Sequence, residues 1–209
     1  MLNNRSYITQ LNKNTEVDVL RDDALANQVP IMDKVALELV KQLIRIQGAS
    51  SILEIGTAIG YSALHFASVN DQIEVTTIER NKEMYEQAVT NVAAFHCEDR
   101  IRLIFNDAAE AFSDVNDRQY DILFIDAAKA QSKKFFELYS PLVKRGGLII
   151  TDNILYHDFV GHIEIVRSRN VKQMVRKIEQ YNNWLKEQPG YTTNFIDLGD
   201  GMSISVKEF

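Results

Sequence analysis

Acidic and amide side chains recur in this chain where short apolar runs end. Glu54 lies in Ile52-Leu53-Glu54-Ile55-Gly56, and Glu79 closes Glu74-Val75-Thr76-Thr77-Ile78-Glu79. Asp107 follows the run 101–106, Asp126 follows Phe124-Ile125, and Asp152-Asn153 follows Leu148-Ile149-Ile150-Thr151. Five carboxylates and an amide brought to one sheet edge would repel one another strongly without a cation. Asp126, Asp152 and Asn153 offer only oxygen donors, the set that suits Mg²⁺ or another hard divalent cation such as Ca²⁺ better than zinc. Lys129 stands three residues past Asp126. Positive charge bound beside it would lower its pKa and make it a candidate general base.

These groups need a scaffold, and the stretch Ser51-Ile52-Leu53-Glu54-Ile55-Gly56-Thr57-Ala58-Ile59-Gly60-Tyr61-Ser62 describes one. A short apolar run ending in glycine reads as a buried parallel strand. Gly56 and Gly60 make the turn after it, and helical spacing resumes at Tyr61. Glycines let the backbone come close to a ligand, and a helix start offers free N–H groups. Glu79 follows about 20 residues later, where a carboxylate at a strand tip can accept both ribose hydroxyls of an adenosine cofactor. A dinucleotide would require G-x-G-x-x-G, but Ala58 occupies the position where a pyrophosphate needs its closest backbone approach. The pattern therefore suits an adenosine cofactor without a pyrophosphate, and S-adenosylmethionine is one.

Strands are expected at 51–56, 74–79, 101–106, 120–126 and 147–152, and helices at 60–69, 82–95, 130–140 and 167–187. Such alternation predicts a parallel sheet wrapped on both faces. Two alternating runs, 192–198 and 202–206, flank Gly199-Asp200-Gly201 and predict a terminal antiparallel hairpin. Before the sheet, residues 1–47 read as an N-terminal helical extension. Within it a helix from Ile31 to Ile46 carries Val35, Leu39, Leu43 and Ile46 at helical intervals and stops at Gly48. With residues 48–209 as the core, one domain covers 1–209.

The chain has 209 residues, 45% of them apolar and 25% charged, with a net charge of −6. That is ordinary for a globular protein with one substantial core and argues against a generally adhesive nucleic-acid binder. No run reaches the length of ~18 apolar residues that a membrane span needs. Cys97 is the only cysteine, which excludes an intrachain disulfide and a thiolate zinc site and points to the cytoplasm. Cys97, His65, Tyr181 and Trp184 read as packing or surface residues.

The motifs Ile52–Ser62, Phe124-Ile125-Asp126-Ala127-Ala128-Lys129 and Gly147-Leu148-Ile149-Ile150-Thr151-Asp152-Asn153 together resemble the metal-dependent O-methyltransferases of the catechol and caffeoyl-CoA type. Within that group the chain resembles bacterial tRNA 5-hydroxyuridine methyltransferases, through Val29-Pro30-Ile31-Met32, Thr77-Ile78-Glu79-Arg80-Asn81, Asp152-Asn153-Ile154-Leu155 and Gly199-Asp200-Gly201. The resemblance implies a Rossmann-like class I methyltransferase: an α/β fold with a mostly parallel seven-stranded sheet, a C-terminal antiparallel hairpin and N-terminal helices. It implies that Asp126, Asp152 and Asn153 hold Mg²⁺. Met32, Glu54, Gly56, Ser62, Glu79, Asp107, Ala108 and Asp126 would form the cofactor site, with Glu79 on the ribose and Asp107-Ala108 beside the adenine. Lys129, at the family's base position, and Asp126 would be catalytic. A homodimer through the N-terminal helices is also implied.

The chemistry would serve 5-hydroxyuridine in a tRNA anticodon stem-loop or a small catechol-like diol, since both present vicinal oxygens. Residues 167–177 hold five basic side chains and no acid, which suits tRNA phosphates at the mouth of the site. A solvated helix face is the bland alternative. Lys133-Lys134 and Lys144-Arg145 could extend that face. An NAD-dependent dehydrogenase is disfavoured by the missing glycine fingerprint, and a non-catalytic S-adenosylmethionine-binding protein by the intact acids and Lys129.

Overall fold

A computed structural model describes residues 4–27, 29–127 and 129–209. Residues 1–3 and Gln28 of the expected N-terminal extension, and Ala128 of the motif 124–129, lie outside it.

The extension is helical, as expected. Helix α1 (Arg5–Leu11) and helix α2 (Val19–Ala26) precede α3 (Lys34–Gln47). Helix α3 begins three residues later than the periodicity suggested. Asp33 is the reason: its carboxylate accepts the N–H groups of Val35 (3.1 Å) and Ala36 (3.2 Å), a stronger start than any residue before it offers. Gly48, at φ +63°, ends the helix. The buried face also differs from the expected one. Ala36, Leu37, Val40 and Ile44 are buried, whereas Ile46 is 82% exposed. Both faces of α3 carry apolar residues, and only the position of the sheet selects one.

The sheet has seven strands in the order β3-β2-β1-β4-β5-β7-β6. They are β1 (Ser51–Ile55), β2 (Glu74–Glu79), β3 (Ile101–Phe105), β4 (Tyr120–Ile125), β5 (Val143–Asp152), β6 (Tyr191–Ile196) and β7 (Met202–Lys207). The first five pair in parallel, and β7 runs antiparallel to both β5 and β6. This is the expected sheet with its terminal hairpin. Strand β5 starts before the expected Gly147, because a register shift opposite 120–122 absorbs residues 144–147.

The central strands are apolar because both faces are covered. Ile52, Ile122 and Phe124 pack with α3 and with α4 (Tyr61–Ala67), while Leu53, Ile55, Leu123 and Ile125 pack with α7 (Ser132–Tyr139) and α8 (Arg169–Lys186). Helices α5 (Lys82–Ala94) and α6 (Phe112–Val115) complete the set; the single turn of α6 is too short to announce itself by periodicity. Among the described residues no helix is long and apolar enough to cross a membrane.

The strand order places the site. Neighbours of β1 are β2 on one side and β4 on the other, so the chain direction across the sheet reverses there. At such a switch point the carboxyl ends of the strands open a crevice.

Candidate active site

A cavity of about 1080 Å³ lies at that edge. Its floor is the turn after β1. Gly56 has φ +102°, and a Cβ there would stand 2.2 Å from the Asp126 carbonyl oxygen, so no larger residue fits between the ends of β1 and β4. Asp126 N–H donates to Ile55 O at 2.9 Å across the same gap. Ala58 is left-handed (φ 46°), and its N–H donates to Glu79 Oε2 at 2.9 Å. Oε1 of Glu79 accepts the Asn81 N–H at 2.8 Å. Glu79 thus braces the turn while lining the cavity, and each of its oxygens keeps a second lone pair.

Met32, Ser62, Asp107 and Ala108 also line the cavity. The Ala109 N–H, donating to Asp107 Oδ1 at 2.8 Å, holds Asp107 below the usual carboxylate range, with help from Arg80 at 3.5 Å. Glu54 differs from expectation. It is fully buried and is not part of the cavity wall. Strand alternation turns it, with Ile52, toward the α3–α4 face, one residue short of the strand tip. There it accepts hydrogen bonds from Ser62 Oγ and from Thr77 Oγ1 (2.5 Å), and Thr77 in turn meets Thr57 Oγ1 at 2.6 Å. Burial pushes the Glu54 carboxyl up to about 8. Its task is to hold the turn and Ser62 from below.

At the tips of β4 and β5 the electrostatics reverse. Asp126, Lys129, Asp152 and Asn153 all line the cavity. Burial pushes Asp126 above the usual carboxylate range against the pull of Lys129, and Asp200 adds to the upward push. Burial and then the charge of Asp126 raise Asp152 as well, while Asn153 and Lys129 oppose the rise. Asn153 is left-handed, at φ 64°. Among the described residues no three His, Cys, Asp or Glu side chains converge as a metal-ligand group. The expected set is two carboxylates and an amide oxygen. Those donors fit a hard divalent cation, which would offset both the burial and the mutual repulsion of the acids.

The family model described as O-methyltransferase matches residues 4–208. The chain belongs to the O-methyltransferase family. A provisionally named caffeoyl-CoA O-methyltransferase of Arabidopsis thaliana is 30% identical over 168 residues, covering 79% of this chain and 72% of the relative. The crystal structure of a Staphylococcus aureus protein, also provisionally named a caffeoyl-CoA O-methyltransferase, is 57% identical with a TM-score of 0.96, covering 98% of this chain and 99% of that one. An O-methyltransferase from Bacillus cereus in complex with SAH shares the fold, with a TM-score of 0.83 at 23% identity and coverage of 97% and 96%.

Within this family frame, sequence reasoning missed several cavity residues. Asp200 enters the sequence reading as part of the hairpin turn and of the family resemblance, with no site role. Its Oδ1 accepts the His157 N–H and its carbonyl the Leu155 N–H (2.9 Å), while Gly201 O accepts Ile154 N–H (3.0 Å). The turn thereby braces the loop after β5 from outside. Tyr156, His157 and Asp158, all left-handed, belong to that loop and line the cavity. Three non-glycine residues in a row at positive φ are costly, and nothing in their types announced it.

Helix α8 flanks the same mouth. Ser168 caps it, Val175, Ile178, Tyr181 and Leu185 are buried, and Met174 lines the cavity. Arg167, Arg169, Arg176 and Lys177 are exposed, and Lys172 is half-buried. Lys133 leans on the Trp184 ring at 4.8 Å and pairs with Glu137. Lys144 does not extend this basic face. It sits at the far end of β5 from Asp152, paired with Asp121 at 2.7 Å, while Arg145 bonds Glu208 O.

Proposed function

We propose that this protein transfers the methyl group of S-adenosylmethionine to the 5-hydroxyl of 5-hydroxyuridine at the tRNA wobble position (34), giving 5-methoxyuridine. One observation supports tRNA over a smaller acceptor. Met174 of α8 lines the cavity, and Arg169, Lys172, Arg176 and Lys177 of the same helix are in no ion pair among the described residues. Four cations on a helix that contributes Met174 to the cavity suit the phosphates of a stem-loop, whereas a free diol needs none of them. The names of the caffeoyl-CoA relatives support a second reading, a small catechol-like diol as acceptor.

In this reading Glu79 accepts the ribose hydroxyls, Asp107 and Ala108 flank the adenine, and Met32 and Ser62 touch the amino-acid portion. Gly56 leaves room for the cofactor over the end of β1. Asp126, Asp152 and Asn153 would hold Mg²⁺ or another hard divalent cation, which when bound would supply Lewis-acid polarisation of the acceptor. Lys129 takes the proton of the acceptor hydroxyl, whose oxygen attacks the methyl carbon as the carbon–sulfur electron pair returns to sulfur. Alignment of oxygen, methyl and sulfur by the cavity walls is worth ~7 kcal/mol or more of the barrier. We also infer a homodimer joined through the N-terminal helices, supported by the exposed side chains of Tyr7, Leu11, Val19 and Leu25.

Incubation of purified protein with S-adenosylmethionine, Mg²⁺ and tRNA bearing 5-hydroxyuridine, followed by mass spectrometry of nucleosides, tests this directly. Conversion to 5-methoxyuridine that stops in EDTA is expected. Turnover of free catechols with no action on tRNA would transfer the assignment to the second reading.

A further inference from the structure

Three cationic side chains, Arg21, Arg80 and Lys129, line the cavity. Arg80 pairs with Asp107, and Lys129 acts on Asp126 and Asp152. Arg21, from helix α2, forms no ion pair among the described residues. Its Nη1 donates to Met32 O at 3.2 Å, and its charge acts on the nearby Tyr61 hydroxyl. Tyr61 OH in turn donates to Asp18 Oδ1 at 3.2 Å, and Asp18 is fixed by the Thr15 N–H (2.6 Å) and by Lys34 (3.6 Å). The Met32 carbonyl therefore fixes one edge of the guanidinium, and that single bond leaves most of its five N–H donors unused.

The shape of the cavity says what those donors meet. In the reading above, adenosine occupies the tips of β2 and β3 at Glu79 and Asp107. The acceptor oxygens belong at the tips of β4 and β5, with Asp126 and Asp152. The sulfur joins these two, and its remaining substituent, the amino-acid tail, must run toward the third wall. That wall holds Arg21, Met32, Tyr61 and Ser62. Of the charged groups of the cofactor, the sulfonium and ammonium would be repelled by a guanidinium, and the carboxylate alone is attracted.

We propose that Arg21 binds the α-carboxylate of S-adenosylmethionine and anchors the tail of the cofactor from the N-terminal helical segment. The inference rests on the cofactor assignment above. It assigns a ligand contact to a segment that lies outside the sheet and carries no recognisable motif.

Calorimetric titration of S-adenosylhomocysteine and of its decarboxylated analogue, S-adenosyl-3-thiopropylamine, tests it. The wild-type protein is expected to bind S-adenosylhomocysteine about ten- to a hundredfold more tightly than the analogue. Arg21→Gln should remove that advantage by weakening the first ligand alone, and Arg21→Lys should restore part of it. Equal loss for both ligands would mean that Arg21 only supports the wall, and would overturn the proposal. Unchanged affinity for S-adenosylhomocysteine with a raised KM for tRNA would overturn it in favour of a phosphate contact. Should Arg21→Gln fail to fold, the wild-type comparison still decides, since equal affinity for the two ligands excludes a carboxylate anchor. Failure of S-adenosylhomocysteine to bind the wild-type protein would overturn the cofactor assignment itself, a result distinct from the others.

Discussion

The two ends of the cavity are built on opposite electrostatic plans. At the β1–β2 end every acid has its own protein donors. Glu79 accepts the N–H groups of Ala58 and Asn81, Asp107 accepts that of Ala109, and Glu54 lies beneath two hydroxyls. At the β4–β5 end Asp126 and Asp152 are both raised by burial, and the charges of Asp126 and Asp200 add to the penalty. The first end is complete as the chain folds and can receive neutral hydroxyls and a ring. The second carries charge that Lys129 and Asn153 offset only in part, a condition that a bound cation would relieve. Binding and chemistry should therefore fail separately when each end is damaged.

The largest effect expected is the contrast between those ends. Asp152→Ala should lower turnover on the order of a thousandfold, since Lewis-acid stabilisation of several kcal/mol is lost. Its affinity for S-adenosylhomocysteine should stay close to the wild-type value. Glu79→Ala should do the reverse, weakening the cofactor about ten- to a hundredfold through lost hydrogen bonds to a charged acceptor. Kinetics and calorimetry on the two variants suffice. Loss of cofactor binding in both would erase the distinction between the ends.

A smaller effect concerns the mouth beyond the acidic end. Neutralising Arg167, Arg169 and Lys172 together should raise the KM for tRNA several-fold at low salt. The difference should shrink as salt rises, because each lost phosphate contact also removes counterion release. Cofactor affinity should not move. A salt-independent change in KM would argue against phosphate contacts.

The smallest effect sharpens the description of the first end. The Glu54 carboxyl stands at about 8 in the folded protein against 4.5 as its ordinary value. A folded pKa above the unfolded one means that the stabilising contribution of the neutral acid is fully present below 4.5. It is lost as pH rises through about 8. Glu54→Gln cannot ionise, so its stability should fall less than that of the wild type across this window. Urea unfolding at stepped pH measures the difference, and parallel curves for the two proteins would show that Glu54 is not neutral when folded.

Much of this was written locally in the chain. The apolar run into Gly56, the acid about 20 residues on and the paired Asp152-Asn153 are short patterns whose structural meaning depends on neighbours in sequence. They were enough to predict the sheet, its terminal hairpin and Gly56, Glu79, Asp107, Asp126, Lys129, Asp152 and Asn153, whereas Met32, Ser62 and Ala108 came only from the family resemblance; all of these line the cavity. Strand alternation, had it been applied to Glu54, would have turned that residue away from the cavity as well.

Other features depend on segments that meet only after folding. The charge of Asp200 acts on Asp126 because β7 returns antiparallel beside β5, which brings a hairpin turn to the carboxyl edge of a parallel sheet. Arg21 enters the cavity because Asp18, Tyr61 and Lys34 tie α2 against α3 and α4. Lys144 is removed from the basic face by the length of β5, and the buried face of α3 is selected by the sheet under it. Sequence alone determined the strands, the longer helices and the acids that end β2, β4 and β5, because those follow from periodicity and turn chemistry. The tertiary structure decided which distant charges share one cavity, because Coulomb energies depend on separation in space and on burial, and neither is encoded by position along the chain.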